Sequence, residues 1–276
     1  MKKIISFVVF GEDPRYFANI PYILLAYPEI YRGFIVRFYV HKDSIHTKGY
    51  QLLQKVAEIT NSVEVEVIQD ESIGTKLTIW RMKPLWESDV EIFLCRDTDS
   101  IINCPERKAT EAFFKSSLGA HGIRSYALHS VPYLAGLCGF KPSIIIDKVK
   151  QKAKTFNEYV DWGHDNIDYC KEWIWGCDQS LLRDFFNTVK LYSETLDCPQ
   201  QCAPVDIPGY LSGHKLTEDG YAKIALPECN IPLLKYSNTI AGRYAGHAIN
   251  AKKSEVFAML DMIDNDISKV IRGSYE

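Results

Sequence analysis

Two aspartates lie two residues apart, directly after an apolar stretch that has the length of a buried strand. The apolar stretch covers residues 90–94, and the segment that follows is Cys95-Arg96-Asp97-Thr98-Asp99-Ser100. Carboxylate oxygens at this spacing form a hard ligand set that suits Mg²⁺ or Mn²⁺ carrying a diphosphate. Such an ion can bridge two phosphate oxygens and neutralise negative charge as a nucleotide leaves. Asp97 and Asp99 are therefore predicted to form a metal site; the alternative is a solvated turn, where Asp is common.

The two carboxylates are expected to have different partners. Asp99 is predicted to coordinate the metal most directly. Asp97 is predicted to contact a ribose or to bind the metal through water, with Thr98 beside it in the nucleotide site. Arg96 is expected to compensate negative charge nearby, and an ordinary ion pair is the alternative for that residue.

Apolar runs alternate with segments of helical periodicity over the first hundred residues. The runs that predict strands cover residues 4–10, 33–40, 63–68 and 90–94, and those that predict helical segments cover residues 16–27, 50–60 and 77–86. This alternation predicts an α/β fold with a mostly parallel sheet. Ligands of such sheets bind beyond the carboxyl ends of the strands, so Gly11 and Asp97 are expected at the same edge.

The remainder of the chain predicts one continuous domain over residues 1–276. Residues 106–117 have a helical apolar face, residues 126–140 are apolar and rich in glycine, and residues 254–272 predict an amphipathic C-terminal helix. The sequence contains no internal repeat and no low-complexity linker. The C-terminal helix is expected to dock on the domain or to form a homodimer, because its acidic polar side disfavours an anionic membrane.

Composition excludes several classes of protein. The net charge is -3 and there is no block of basic residues, which disfavours nucleic-acid binding. No apolar run reaches the length of about 18 residues that a membrane span needs. The N-terminus lacks the features of a signal peptide, and the 8 cysteines have no disulfide or zinc spacing pattern. A soluble cytoplasmic protein with reduced thiols is the resulting expectation.

Three motifs occur in an order that resembles a known family. They are Arg96-Asp97-Thr98-Asp99-Ser100, the segment from His129 to Gly139, and Trp175-Gly176-Cys177-Asp178-Gln179-Ser180-Leu181-Leu182. Together they resemble the small GT-A glycosyltransferases of bacterial surface-polysaccharide genes and large DNA viruses. Those enzymes carry an Arg-Asp-x-Asp-Ser core, a His-Pro segment leading into a Gly-Gly-x-x-Gly-like turn, and an Asp-Gln-x-x-Leu element. In this chain Ala135 replaces the first Gly of that turn, the segment before Pro132 is shorter, and the resemblance is faint beyond Leu182.

The resemblance implies a GT-A-like fold and a metal-dependent transfer of sugar from a nucleotide diphosphate sugar, most often a UDP-sugar, to a glycan acceptor. Residues 1–105 would bind the nucleotide sugar and residues 106–276 the acceptor. Val9, Phe10 and Gly11 would hold the base and ribose, and Arg81 would face the nucleotide; a surface ion pair is the alternative for Arg81. A viral member would act in the host cytoplasm.

Asp178 is the predicted general base. A transferase that inverts the anomeric centre must deprotonate the acceptor hydroxyl, and a carboxylate is the usual group. In a retaining enzyme Asp178 or Gln179 would instead help to position donor and acceptor. A structural alternative is an N-cap of a helix that begins near Gln179. His247, in a glycine-flanked segment near the C-terminus, is the preferred candidate for a third metal ligand among three histidines, and a purely structural role is its alternative.

Two further hypotheses remain open at this point. A metal-dependent nucleotidyltransferase also uses paired carboxylates, but it normally has a glycine-rich, basic phosphate loop after the first strand, which Gly11-Glu12-Asp13-Pro14-Arg15 lacks. The other is a non-catalytic scaffold or carbohydrate-binding relative with a vestigial site. The sugar, the acceptor and the stereochemistry of transfer are not fixed by these residues.

Overall fold

In the part of the chain that the structure describes, a mixed sheet of six strands is covered by helices on both faces. The structure, a computed structural model, describes residues 1–72, 74–123, 134–166, 176–189, 253–261 and 266–275. The strands are β1 (Lys2–Val9), β2 (Ile35–His41), β3 (Val63–Ile68), β4 (Val90–Arg96), β5 (Ala120–Gly122) and β6 (Leu137–Phe140). Their order across the sheet is β3-β2-β1-β4-β6-β5.

The helices follow the strands in the alternation expected of an α/β protein. They are α1 (Pro14–Ala18), α2 (Ile20–Ile30), α3 (Lys48–Ile59), α4 (Cys104–Lys115), α5 (Pro142–Val149), α6 (Phe156–Asn166), α7 (Cys177–Thr188), α8 (Lys253–Leu260) and α9 (Asp266–Tyr275). Two 3₁₀ segments cover Lys42–Ser44 and Gly74–Trp86. None of the helices in this described part is both long and apolar enough to cross a membrane.

Strands β1 to β4 are parallel, whereas β6 runs antiparallel to both β4 and β5. The α/β prediction is therefore confirmed, and the sheet is mixed. Strand β6 has only four residues and contains Gly139, so it has no clear alternating pattern. A Cβ at Gly139 would lie 2.6 Å from Leu94 Cδ2 and 2.8 Å from His121 Nε2. Close packing therefore requires a glycine at position 139, and this glycine interrupts the apolar pattern by which a strand is recognised in the sequence.

Three predicted helical segments differ from the observed ones. Residues 16–27 form two helices, and Pro21 lies at the start of the second, where a missing N–H costs nothing. Gly74–Trp86 is 3₁₀ rather than α-helical, and Pro84 within it cannot donate a backbone hydrogen bond. The predicted C-terminal helix over residues 254–272 is two helices, α8 and α9, which end and begin at Leu260 and Asp266.

The side chains of the strands alternate between two apolar layers. Ile5, Phe7 and Val9 of β1 pack with α2, α3, α4, α8 and α9 on one face of the sheet. On the other face Ile4 packs with residues of the 3₁₀ segment, α5, α6 and α7. Helices α8 and α9 pack against α2, and α9 also packs against α3, so the C-terminal helices dock on the domain.

The strand order defines one crevice for a ligand. The chain passes from β1 outward to β2 and β3, and then returns to β4 on the other side of β1. The parallel strands β1 and β4 are thus neighbours. The chain leaves β1 towards one edge of the sheet and leaves β4 towards the other edge. The crevice beyond their carboxyl ends is the topological switch point, where open α/β sheets bind ligands.

A buried ion pair joins β4, β6 and α4 next to this crevice. Arg96 Nε donates to Glu106 Oε1 at 2.6 Å, and both side chains are 0% exposed. Arg96 Nη1 also donates to the carbonyl oxygens of Cys95 and Cys138 at 2.7 and 3.0 Å. Burial raises the pKa of the Glu106 carboxyl, although Arg96 acts in the opposite direction. Each charge of the pair therefore depends on the other, because removal of either partner leaves an uncompensated buried charge.

Replacement of one partner tests this buried pair. Glu106→Gln leaves the Arg96 guanidinium without its counter-charge, so we expect the free energy of unfolding to fall by about 3 kcal/mol. Chemical denaturation measures the loss. Glu111→Gln, on the same helix, is the matched control because Glu111 pairs with Arg107 at the surface, and we expect a loss below about 0.5 kcal/mol. Equal losses in the two variants would contradict the role given to Arg96.

Candidate functional site

Asp97 begins the turn that follows β4 and is held by Arg81. Its Oδ1 accepts a hydrogen bond from Arg81 Nη1 at 2.7 Å. Its backbone carbonyl accepts from the amide and the hydroxyl of Ser100 at 3.4 and 3.1 Å, which closes the turn over residues 97–100. The Asp97 side chain is 47% exposed, so it is fixed by Arg81 on one side and open to solvent on another.

Arg81 is placed by contacts of its own segment. Its backbone carbonyl accepts from Ser6 Oγ of β1 at 2.8 Å, and its Nε donates to the carbonyl of Thr78 at 3.1 Å. These bonds hold the 3₁₀ segment against the sheet and direct the guanidinium to the carboxyl edge. The Arg81 side chain is only 6% exposed, so the ion pair is buried on the arginine side and open to solvent on the Asp97 side.

Asp178 lies on the other side of the same guanidinium. Arg81 Nη2 is 3.8 Å from Asp178 Oδ2, and Asp178 Oδ1 accepts from the amide of Gln179 at 2.9 Å. Helix α7 begins at Cys177 and its N-cap is Gly176, with φ +83°, so Asp178 lies in the first turn and is not the N-cap. Burial raises the pKa of Asp178, Arg81 opposes that shift, and Asp97 adds to it. One guanidinium thus faces two carboxylates.

The Asp97 carboxylate packs directly against the backbone of Gly136. A Cβ built on Gly136 would be 1.8 Å from Asp97 Oδ2 and 2.2 Å from Asp97 Cγ. No side chain fits there while Asp97 keeps its bond to Arg81. The motif that contains Gly136 was part of the sequence resemblance, but its packing against Asp97 had no signal in the sequence.

The predicted nucleotide-contacting residues lie at the ends of β1 and β4. The Val9 side chain is buried in the apolar core, so its backbone alone remains for a ligand, and Phe10 packs on Tyr16 with ring centroids 6.5 Å apart. Gly11 is exposed at φ +70°, and its carbonyl accepts from Ser44 Oγ at 2.9 Å. Thr98 is buried in the turn after β4. Their contact with a nucleotide stays a prediction.

The predicted metal ligands are only partly within the described residues. Asp97 and the partly exposed Asp99 flank Thr98 at the carboxyl edge, whereas His247 lies outside the described residues. Within the described ranges no group of three His, Cys, Asp or Glu side chains is arranged to hold a metal. Two carboxylates are nevertheless a donor set that fits Mg²⁺ or Mn²⁺, because such ions are often bound by one or two carboxylates together with substrate phosphates.

Sequence reasoning thus identified Asp97, Asp178 and Arg81, which the structure brings together from three separate segments. It missed the packing of Gly136 and also Tyr159, which lines a small cavity beside Asp178. No local pattern could have indicated Tyr159, since it belongs to an ordinary aromatic helix face in the sequence.

The contact between Gly136 and Asp97 makes a direct prediction. In Gly136→Ala the new methyl group must displace the Asp97 carboxylate, so the 2.7 Å bond to Arg81 is lost. We expect a fall of about 2 kcal/mol in the free energy of unfolding, which chemical denaturation measures. A crystal structure of the variant is expected to contain Asp97 turned away from Arg81.

The matched control is Gly273→Ala in α9, where an added Cβ meets no atom within 4 Å. Alanine has the higher helix propensity, so we expect this variant to be as stable as the wild type or more stable by up to about 1 kcal/mol. An unchanged stability and an unmoved Asp97 in Gly136→Ala would show that the site tolerates a side chain at that position.

Comparison with known proteins found no matching family model, no similar curated protein and no similar solved structure. The chemistry of Asp97, Asp99, Asp178 and Arg81 is therefore the basis on which a function can be assigned.

Proposed function

We propose that the protein is a metal-dependent glycosyltransferase with a GT-A-like fold. It transfers a sugar from a nucleotide diphosphate sugar, with a UDP-sugar as the preferred donor, to a glycan acceptor. The observation that carries the proposal is the pairing of Asp97 and Asp178 with one guanidinium, that of Arg81, at the carboxyl edge of β1 and β4. These residues come from both halves of the chain, as expected of a site that joins a donor to an acceptor.

The carboxylates and Arg81 have distinct roles in this proposal. Asp97 and Asp99 would hold Mn²⁺ or Mg²⁺, which when bound offsets the negative charge of a departing diphosphate. Arg81 fixes the orientation of Asp97 through the 2.7 Å bond. Asp178 accepts the proton of the attacking hydroxyl. Its raised pKa makes it a stronger base than an exposed aspartate, because burial disfavours its charged form.

The donor site is tested by calorimetric titration of UDP with and without Mn²⁺. We expect binding that needs the metal, and we expect Asp99→Asn to abolish the part of the binding that depends on Mn²⁺. Asp89→Asn is the matched control, since Asp89 is an exposed aspartate at the opposite end of β4 and pairs with Lys2. This control is expected to bind UDP as the wild type does.

Other outcomes of the titration discriminate among the hypotheses. The absence of UDP binding in both conditions would contradict a UDP-sugar donor, and GDP and other nucleotides would be titrated next. Metal-dependent binding of a nucleoside triphosphate with release of pyrophosphate would favour the nucleotidyltransferase. If no nucleotide binds, the non-catalytic carbohydrate-binding protein becomes the better hypothesis.

The role of Asp178 is tested by its neutral isostere. For a UDP-sugar that the wild type hydrolyses, we expect Asp178→Asn to lower the rate about 100-fold or more while UDP binding is retained. Asp184→Asn is the control, because Asp184 lies on the same helix and its exposed carboxylate pairs only with its neighbour Arg183 among the described contacts. A similar rate loss in both variants would argue against Asp178 as the base.

The same variant has a defined effect on stability. The folded-state pKa of Asp178 lies above its ordinary value of 3.8, so ionisation of Asp178 costs the folded state free energy. An asparagine at this position does not ionise and avoids this cost. We therefore expect the stability of Asp178→Asn, relative to the wild type, to rise as the pH increases from below 3.8 through the raised pKa. Thermal unfolding at a series of pH values measures this, and a relative fall with pH would contradict it.

A further inference from the structure

A small cavity lies beside Asp178, between the 3₁₀ segment, α6 and α7. Its volume is about 10 Å³, and its lining includes Thr78, Arg81, Tyr159 and Asp178. This volume is close to the minimum that holds one water molecule, and a water needs two to four polar partners. The rest of the lining is apolar, but its polar residues carry two hydroxyls, a carboxylate and a guanidinium, which are enough partners for one water.

Tyr159 gives the first independent indication of such a water. Its side chain is buried, with the residue only 1% exposed, and its ring is fixed between Trp86 and Phe185, whose centroids are 4.9 and 4.8 Å away. Its hydroxyl has no hydrogen-bond partner among the described residues. A buried hydroxyl without a partner is costly and uncommon, so an unassigned water is the expected explanation.

The gap between Arg81 and Asp178 gives the second indication. Nη2 of Arg81 and Oδ2 of Asp178 are 3.8 Å apart, which is too far for a direct hydrogen bond. A polar separation of this size is often bridged by water. Tyr159, Arg81 and Asp178 all line the same cavity, so one water in it lies near the tyrosine, the guanidinium and the carboxylate together.

We propose that one water molecule occupies this cavity and joins the Tyr159 hydroxyl and the Arg81 guanidinium to the Asp178 carboxylate. The water accepts from Tyr159 Oη and from an N–H of Arg81, and it donates to Asp178. Gln179 N already fixes Oδ1 of Asp178, so the water fixes the second oxygen. Tyr159 is then a positioning residue that acts on Asp178 through the water; its effect on catalysis rests on the proposed function, whereas the water itself does not.

The water is tested by crystallography and by unfolding of Tyr159→Phe. The wild-type crystal structure is expected to contain a water within hydrogen-bond distance of Tyr159 Oη and Asp178. Tyr159→Phe is expected to raise the unfolding equilibrium constant about tenfold, since a satisfied hydroxyl is lost while the ring remains. A dry cavity predicts the opposite sign, because the variant then removes an unsatisfied hydroxyl. An empty cavity, or a protein side chain in place of the water, would overturn the proposal.

The positioning role is tested by kinetics with a UDP-sugar that the wild type hydrolyses. We expect Tyr159→Phe to lower kcat about tenfold and to leave KM for the donor unchanged, because a misplaced base affects the chemical step and not donor binding. Tyr27→Phe is the control: Tyr27 is a buried tyrosine on the other face of the sheet, and its loss is expected to leave kcat unchanged. An unchanged kcat in Tyr159→Phe would overturn the positioning role. If the wild type binds no nucleotide, the proposed function fails, and the crystal structure and the unfolding measurement still decide whether the water is present.

Discussion

The guanidinium of Arg81 is the contact that unites the candidate site. It binds Asp97 after β4 and lies beside Asp178 at the start of α7, and its own backbone is tied to β1 through Ser6. One positive charge therefore faces two negative ones, and Asp99 adds a third carboxylate at the same edge. Such an excess of negative charge is stable only where solvent or a cation compensates it. The half-exposed Asp97 provides that opening to solvent.

Arg96 and Arg81 both lie near the end of β4 but differ in burial and in the groups that they contact. Arg96 is fully buried, pairs with Glu106, and joins β4 to β6 and α4. Arg81 reaches the carboxyl edge and contacts groups that remain partly exposed; the Asp178 side chain is 19% exposed. Asp97 directly follows Arg96, so the buried contacts of Arg96 fix where the turn begins. The carboxylate of Asp97 is then bound by Arg81. The position of Asp97 thus depends on charges on both faces of the sheet.

The features that sequence patterns could predict were those that depend on neighbours along the chain. Val63–Ile68 alternates apolar and acidic residues and is a strand with those bounds, and the paired carboxylates follow a buried strand as expected. Features that depend on close approach in space were not predictable. Gly139 is required in β6 because a side chain there would clash with Leu94, and the glycine removes the apolar pattern of the strand. Gly136 is required because the Asp97 carboxylate packs against it. Tyr159 meets Asp178 only after α6 and α7 have packed on the sheet.

The buried Arg96 also affects the register in which β6 pairs with β4. Strand β6 is four residues long and contains a glycine, so its apolar pattern specifies its alignment with β4 only weakly. The observed register opposes Cys95 to Cys138, and in it the carbonyl of Cys138 accepts from the buried guanidinium. A slip by one residue would carry that carbonyl away and leave a buried donor without its acceptor. The hydrogen bond from Arg96 to the Cys138 carbonyl therefore favours the observed register of β6 over registers shifted by one residue.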